Sequence, residues 1–175
     1  LFLDGARLGY GLAAPDNDLT LPDIAALCDV FYIGGTKVGA LFGEAVVIKN
    51  PELAQDFRYL IKQNGGMLAK GRLLGLQFDA LFTDGLYQVI SAHAIAMAEK
   101  LREAFTAKGY TYLAPNRTNQ IFVIVPDAHL AKISEQFEYS YDQRIDATHS
   151  CVRFCTGWAT REENVDALIR CVEKL

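Results

Sequence analysis

Val30-Phe31-Tyr32-Ile33-Gly34-Gly35-Thr36-Lys37-Val38-Gly39-Ala40-Leu41-Phe42-Gly43 is the stretch on which the reading of this chain turns. Its first four residues are apolar, β-branched or aromatic and predict a short buried strand. The double glycine then predicts a tight turn, and Lys37 emerges from that turn at the strand's carboxyl end. A solvated surface position is the commonest fate of a lysine. The segment after Lys37 argues otherwise, because an apolar, glycine-rich run gives little reason for an exposed loop. A lysine standing among apolar walls has a desolvated amine, as imine formation requires.

Working outward, Leu1 to Leu3 predict another short buried strand, ended by Asp4-Gly5. Ligand groups gather at such strand ends in open α/β sheets. Taken alone, Asp4-Gly5-Ala6-Arg7 favours a local Asp4–Arg7 pair or a helix cap. Ala6 to Ala14 have helical spacing. Thr20, Pro22 and Asp23 resemble a capping box opening a helix that runs to about Cys28. Ala45 to Ile48 predict a strand, and Asn50-Pro51 the start of helical pattern that continues to about Gly109, with breaks at Gly65-Gly66 and Thr83-Asp84-Gly85. Tyr87 to Lys108 predict one long helix, with Val89, Ala92, Ile95, Ala96 and Leu101 at helical spacing.

The remainder is shorter and mixed. Strands are expected at Tyr110 to Leu113, Gln120 to Val125 and Cys151 to Cys155, and a helix from Pro126 to Phe137. A final helix is expected from Thr160, with Glu163 completing a capping box. Within the strand Cys151-Val152-Arg153-Phe154-Cys155, an arginine between apolar residues is costly unless an anion meets it, and its planar fork suits a carboxylate. An edge-strand arginine facing solvent fits the same residues equally well.

Composition narrows the classes. The 175 residues carry 17 basic and 21 acidic side chains, a formal net charge of -4, with no basic stripe of the kind nucleic acid selects. No run of apolar residues is long enough to span a membrane, and no signal segment opens the chain. Cys28, Cys151, Cys155 and Cys171 form no Cys-x-x-Cys pair and read as reduced core thiols of a cytoplasmic protein. Cys151, Cys155 and His149 lack a second ligand cluster, so no metal is expected. The opening Leu-Phe-Leu, rather than Met, suggests a chain that begins mid-domain.

Separately, the acid, the lysine and the arginine are weak signals. Together they match lysine imine chemistry: an acid for a pyridine nitrogen, and an arginine for a substrate carboxylate. The chain resembles the fold-type-I pyridoxal 5'-phosphate enzymes, most closely the threonine aldolase and β-eliminating lyase group. Four segments carry the resemblance: Phe2-Leu3-Asp4-Gly5-Ala6-Arg7-Leu8, Tyr32-Ile33-Gly34-Gly35-Thr36-Lys37, Gln63-Asn64-Gly65-Gly66-Met67-Leu68-Ala69-Lys70, and Val152-Arg153-Phe154-Cys155-Thr156-Gly157-Trp158-Ala159-Thr160. They occur in the family's order across nearly the whole chain. One departure is Thr36, where the family often has serine.

The resemblance implies an α/β fold: the second half of an aspartate aminotransferase-type large domain over 1–86, a connecting helix over 87–109, and a small α+β domain over 110–175. It implies that Lys37 forms the internal aldimine, Asp4 pairs with the pyridinium nitrogen and Ala6 packs on the ring. Thr36 and Lys70 would reach the phosphate, and Arg7 and Arg153 would hold the substrate carboxylate. The implied reaction is cleavage of threonine-like β-hydroxy amino acids to glycine and an aldehyde, in a homo-oligomer (dimer or tetramer). Other readings are a β-eliminating lyase, an aminotransferase, or a catalytically incomplete folding or interaction fragment. The family's N-terminal half supplies the phosphate loop, the residue stacking on the other ring face and the β-hydroxyl base, and this half is missing from the chain. His93, His129 and His149 have no motif around them and read as surface or core histidines.

Overall fold

A computed structural model describes residues 1–175, which divide into two compact units: 1–12 with 17–90, and 13–16 with 91–175. The first is built on a three-stranded sheet. Strand β1 (Phe2–Leu3) pairs in parallel with β2 (Val30–Gly34), and β3 (Glu44–Ile48) runs antiparallel on β2's other side. A parallel partner needs a crossover, here supplied by helices α1 (Leu8–Leu12) and α2 (Leu21–Leu27). The capping box expected at the start of α2 is present, with Thr20 and Asp23 satisfying each other's backbone N–H groups. Because β1 and β2 are parallel, Asp4 and the Gly34–Lys37 turn emerge at the same end of the sheet.

Glycine makes that end possible. A Cβ on Gly5 would lie 1.7 Å from the Tyr32 carbonyl oxygen, and one on Gly34 would lie 2.3 Å from that of Ala6. The two backbones therefore approach more closely than any side chain allows, and the Gly34 N–H donates to the Gly5 carbonyl at 2.9 Å.

After β3 come three helices, α3 (Pro51–Ala54), α4 (Phe57–Gln63) and α5 (Arg72–Phe82). Asp56, in the left-handed region at φ 57, separates the first two. Most side chains of this stretch are exposed, including Tyr59, Leu60 and Leu73. Helix α6 (Leu86–Ala107) has its first turn in the first unit and the rest in the second. Its buried stripe is Ala94, Ile95, Met97, Ala98, Leu101 and Phe105, whereas Val89, Ala92 and Ala96 are exposed. The expected face was therefore rotated, since helix-spaced alanines and valines fit more than one stripe.

The second unit packs α6 and α8 (Glu162–Glu173) on a four-stranded antiparallel sheet of order β4-β5-β7-β6. The strands are β4 (Thr111–Tyr112), β5 (Gln120–Pro126), β6 (Ser140–Arg144) and β7 (His149–Cys155), and α7 (Asp127–Ile133) follows β5. Ile121, Val123 and Val125 alternate inward from β5 against Val152 and Phe154 of β7, each burial contributing about 1.5–3 kcal/mol. Strand β6 was not expected, because Ser-Tyr-Asp-Gln-Arg is polar and exposed throughout. The expected Thr160–Glu163 capping box does not form. Arg161 occupies the cap position without a side-chain bond, and the Thr160 hydroxyl instead accepts the Gly157 N–H at 2.8 Å.

Candidate functional site

Two oxygens of Asp4 have different surroundings. Oδ1 accepts the Ala6 N–H at 3.1 Å and also the Tyr32 hydroxyl. Oδ2 takes no hydrogen bond from the protein, and the side chain is exposed. The Tyr32 hydroxyl, then the Ala6 N–H, and to a smaller extent the nearby Lys37 ammonium hold the Asp4 carboxyl below the usual carboxylate range. The expected local pair with Arg7 is absent: no ion pair joins them, and the Asp4 partners are Tyr32 and Ala6.

The turn bearing Lys37 is held from beneath. Tyr10, almost wholly buried, donates its hydroxyl to the Lys37 carbonyl. Tyr87 accepts the Gly9 N–H at 3.1 Å and donates to the Gly34 carbonyl at 3.0 Å. Burial pushes the Tyr87 phenol up to about 12. The Gly35 N–H donates to Glu44 Oε2 at 2.6 Å, and the Val38 and Ala40 N–H groups both reach the Gly35 carbonyl. Gly39, at φ +96, completes the turn in a conformation that side chains rarely adopt.

Val38 and Ala40 turn inward, but Thr36 and Lys37 are exposed. The expected apolar walls around the lysine are therefore not found in this chain: the glycine-rich run buries its own small side chains and leaves the amine outside. Asp4, across the strand ends, is near enough to feel the Lys37 charge. Thr36 Oγ1 donates to the Gly43 carbonyl at 3.4 Å. Lys70 lies on an exposed turn before α5, with no hydrogen bond or ion pair to Asp4 or Lys37.

In the second unit, β7 lies between β5 and β6, so Arg153 is not on an edge strand. Its Nη1 donates to Gln120 Oε1 at 3.2 Å and its Nη2 to Ser140 Oγ at 3.4 Å, while the guanidinium sits 6.0 Å from the Phe122 ring centre. Nε is buried without a partner. No carboxylate of the chain pairs with this cation. The segment after it is firmly held. Thr156 Oγ1 donates to the Ala94 carbonyl at 2.7 Å, Asn119 Nδ2 to the Thr156 carbonyl at 2.6 Å, and the His93 ring bonds the Thr160 carbonyl. A cavity of about 360 Å³ is lined by Arg153, Ser140, Cys155, Thr156 and Thr160 among others.

No protein-family model matches the chain. The solved threonine aldolase of Leishmania major is 41% identical and superposes over 99% of this chain with a TM-score of 0.97. Over nearly its whole length the chain is similar to threonine aldolases. It is also 30% identical over 172 residues, 96% of its length, to the low specificity L-threonine aldolase of a Pseudomonas species, strain NCIMB 10558. It spans about half of each of these threonine aldolases, 51% and 48% respectively. Serine palmitoyltransferase from Sphingomonas wittichii, 15% identical with a TM-score of 0.65, shares the fold alone. The resemblance to fold type I read from the four segments is borne out.

Sequence reasoning missed the residues that hold the candidate site: Tyr10, Tyr32, Tyr87 and Glu44. Tyrosines in strands and helices read as core, and nothing local shows where a hydroxyl ends. The glycines at positions 5 and 34 were the available signal, since both stand where two strand ends must touch.

Proposed function

We propose that the enzyme containing this chain cleaves threonine-like β-hydroxy amino acids to glycine and an aldehyde, using pyridoxal 5'-phosphate carried by Lys37. The first unit would be the C-terminal part of the cofactor-binding large domain, and the second unit the small domain. One observation carries the reading: an exposed primary amine and a carboxylate with one unoccupied oxygen stand on adjacent parallel strand ends. That donor set fits a pyridine ring bearing an aldehyde. Lys37 would hold the aldehyde carbon, the free Asp4 oxygen would hold a proton on the ring nitrogen, and Ala6 beside it is small enough for a ring face. Bound there, the cofactor supplies an electron sink for the pair left at Cα.

The chain's own groups do the rest. Asp4 is held ionised, so its partner proton stays on the ring side. The Arg153 guanidinium, with neutral partners only, would bind the substrate carboxylate, and Arg7 would assist. A carboxylate clamped by a planar fork fixes the orientation of Cα and so selects the bond that breaks. The three histidines are engaged within the second unit, His93 with Thr160, His129 with Tyr110 and His149 with Asp146. The base for the β-hydroxyl would therefore come from the half that this chain does not span, with the phosphate loop and the second ring-face residue. Thr36 and Lys70 are proposed phosphate contacts, Lys70 from a neighbouring subunit. Exposed Tyr59, Leu60, Leu68 and Leu73 support a homo-oligomer, and four unpaired cysteines support a cytoplasmic location. No helix is long and apolar enough to cross a membrane.

The test uses the full-length enzyme. Lys37→Ala should abolish the visible absorbance of bound cofactor, and threonine should yield acetaldehyde and glycine with the unaltered protein. Ammonia and a keto acid as products would replace aldol cleavage by elimination. Unchanged absorbance after Lys37→Ala would remove Lys37 from the site.

A further inference from the structure

We propose that Tyr32 is the positioning residue of the cofactor site: its hydroxyl occupies one oxygen of Asp4 and thereby reserves the other for the ring nitrogen. This rests on the reading of Asp4 given above. Tyr32 lies on β2, and its side chain crosses to the end of the parallel neighbour β1, where it donates to Asp4 Oδ1. The same oxygen takes the Ala6 N–H, so two donors converge on Oδ1 and none on Oδ2. A carboxylate whose one oxygen is doubly bound has its plane fixed and its free lone pairs restricted to the other oxygen. The ring of Tyr32 is itself braced by Phe2, their centres 6.2 Å apart.

The arrangement also controls charge. Asp4 is exposed and has no cationic partner in contact, so without a donor it would behave as an ordinary surface aspartate. The bond from Tyr32 is the largest influence lowering its proton affinity, ahead of Ala6 and the more distant Lys37. The charged or titratable groups facing Tyr32 are Asp4 from the end of β1 and Glu44 from β3; Lys37 faces Asp4 from the turn. Two acids beside the phenol push it up, with Asp4 the larger cause. Tyr32 therefore stays a neutral donor from the acid range in which Asp4 ionises through neutral pH. Sequence inspection alone assigns this tyrosine to a strand core.

The experiment is a double-mutant cycle in the full-length enzyme, reading the dissociation constant of pyridoxal 5'-phosphate by fluorescence titration of the apoenzyme. Tyr32→Phe keeps the ring against Phe2 and removes only the donor. It should weaken cofactor binding by about 3- to 10-fold, below the usual range for a hydrogen bond to a charged group because the site is exposed. Asp4→Asn should weaken it further, and Tyr32→Phe should then have no additional effect, because the hydroxyl acts through the carboxylate. On the acid side, the fall in cofactor affinity should begin at higher pH in Tyr32→Phe than in the unaltered enzyme. If Asp4→Asn weakens binding and Tyr32→Phe does not, the role of Tyr32 is overturned while the site stands. Equal effects of Tyr32→Phe with and without Asp4 would overturn it too. An unaffected Asp4→Asn enzyme would sink the reading of Asp4 and the proposal with it.

Discussion

Adding one methyl group at Gly5 should break the candidate site from its foundation. In Gly5→Ala the new Cβ would stand 1.7 Å from the Tyr32 carbonyl oxygen, where real contacts of this kind are never closer than about 3.0 Å. The obstructing atom is backbone, so no rotamer relieves it, and β1 and β2 must separate by at least about 1.3 Å. Separation would break the bond from the Gly34 N–H to the Gly5 carbonyl, now 2.9 Å. Overpacking costs about 1–3 kcal/mol and each lost internal hydrogen bond roughly 1 kcal/mol, so a loss of about 3 kcal/mol is expected. The same movement would carry Asp4 away from Tyr32 and weaken cofactor retention. Gly11→Ala is the control: it lies in helix α1 with no atom within 4 Å of its Cβ position, and a gain of up to about 1 kcal/mol is expected there. Denaturant unfolding of the full-length enzyme measures both. If Gly5→Ala loses less than about 1 kcal/mol, the close approach of the two strand ends is not what holds this site together.

Two more perturbations probe the remaining parts. Arg153→Ala should raise KM for threonine and lower kcat/KM roughly 30-fold or more, the equivalent of about 2 kcal/mol at the low end for truncating one member of a charged pair; steady-state kinetics with kcat/KM unchanged would remove Arg153 from substrate binding. Tyr87→Phe should destabilise by about 1–3 kcal/mol, because the Gly9 N–H and Gly34 carbonyl lose their buried partner. Since the folded phenol titrates near 12 and an unfolded one near 10, Tyr87's contribution is intact below pH 10 and declines as pH rises from there to 12. Thermal unfolding across that range should show a smaller alkaline loss in Tyr87→Phe than in the unaltered protein, and equal losses would contradict the assignment.

Much of this protein was determined by the order of its residues. The strand ending in Tyr32-Ile33, the glycine turn to Lys37, the Thr20 capping box and the Arg153 strand are all local patterns, set by side-chain period and by the conformations glycine and proline permit. Four short segments in the right order were enough to indicate the family. Tertiary structure alone decided the rest, because it depends on which atoms meet across long stretches of chain. Position in the strand order, unrelated to the pentapeptide around it, placed Arg153 in an interior strand. Parallel pairing brought Asp4 beside residues 28 and more positions away, and gave it Tyr32 rather than Arg7 as partner. The same packing turned Val38 and Ala40 inward and left the Lys37 side chain outside, which apolar neighbours in the sequence could not foretell. A pattern of residue types reports which side chains prefer to be buried; only the folded chain determines whose hydroxyl, amide or carboxylate they are buried against.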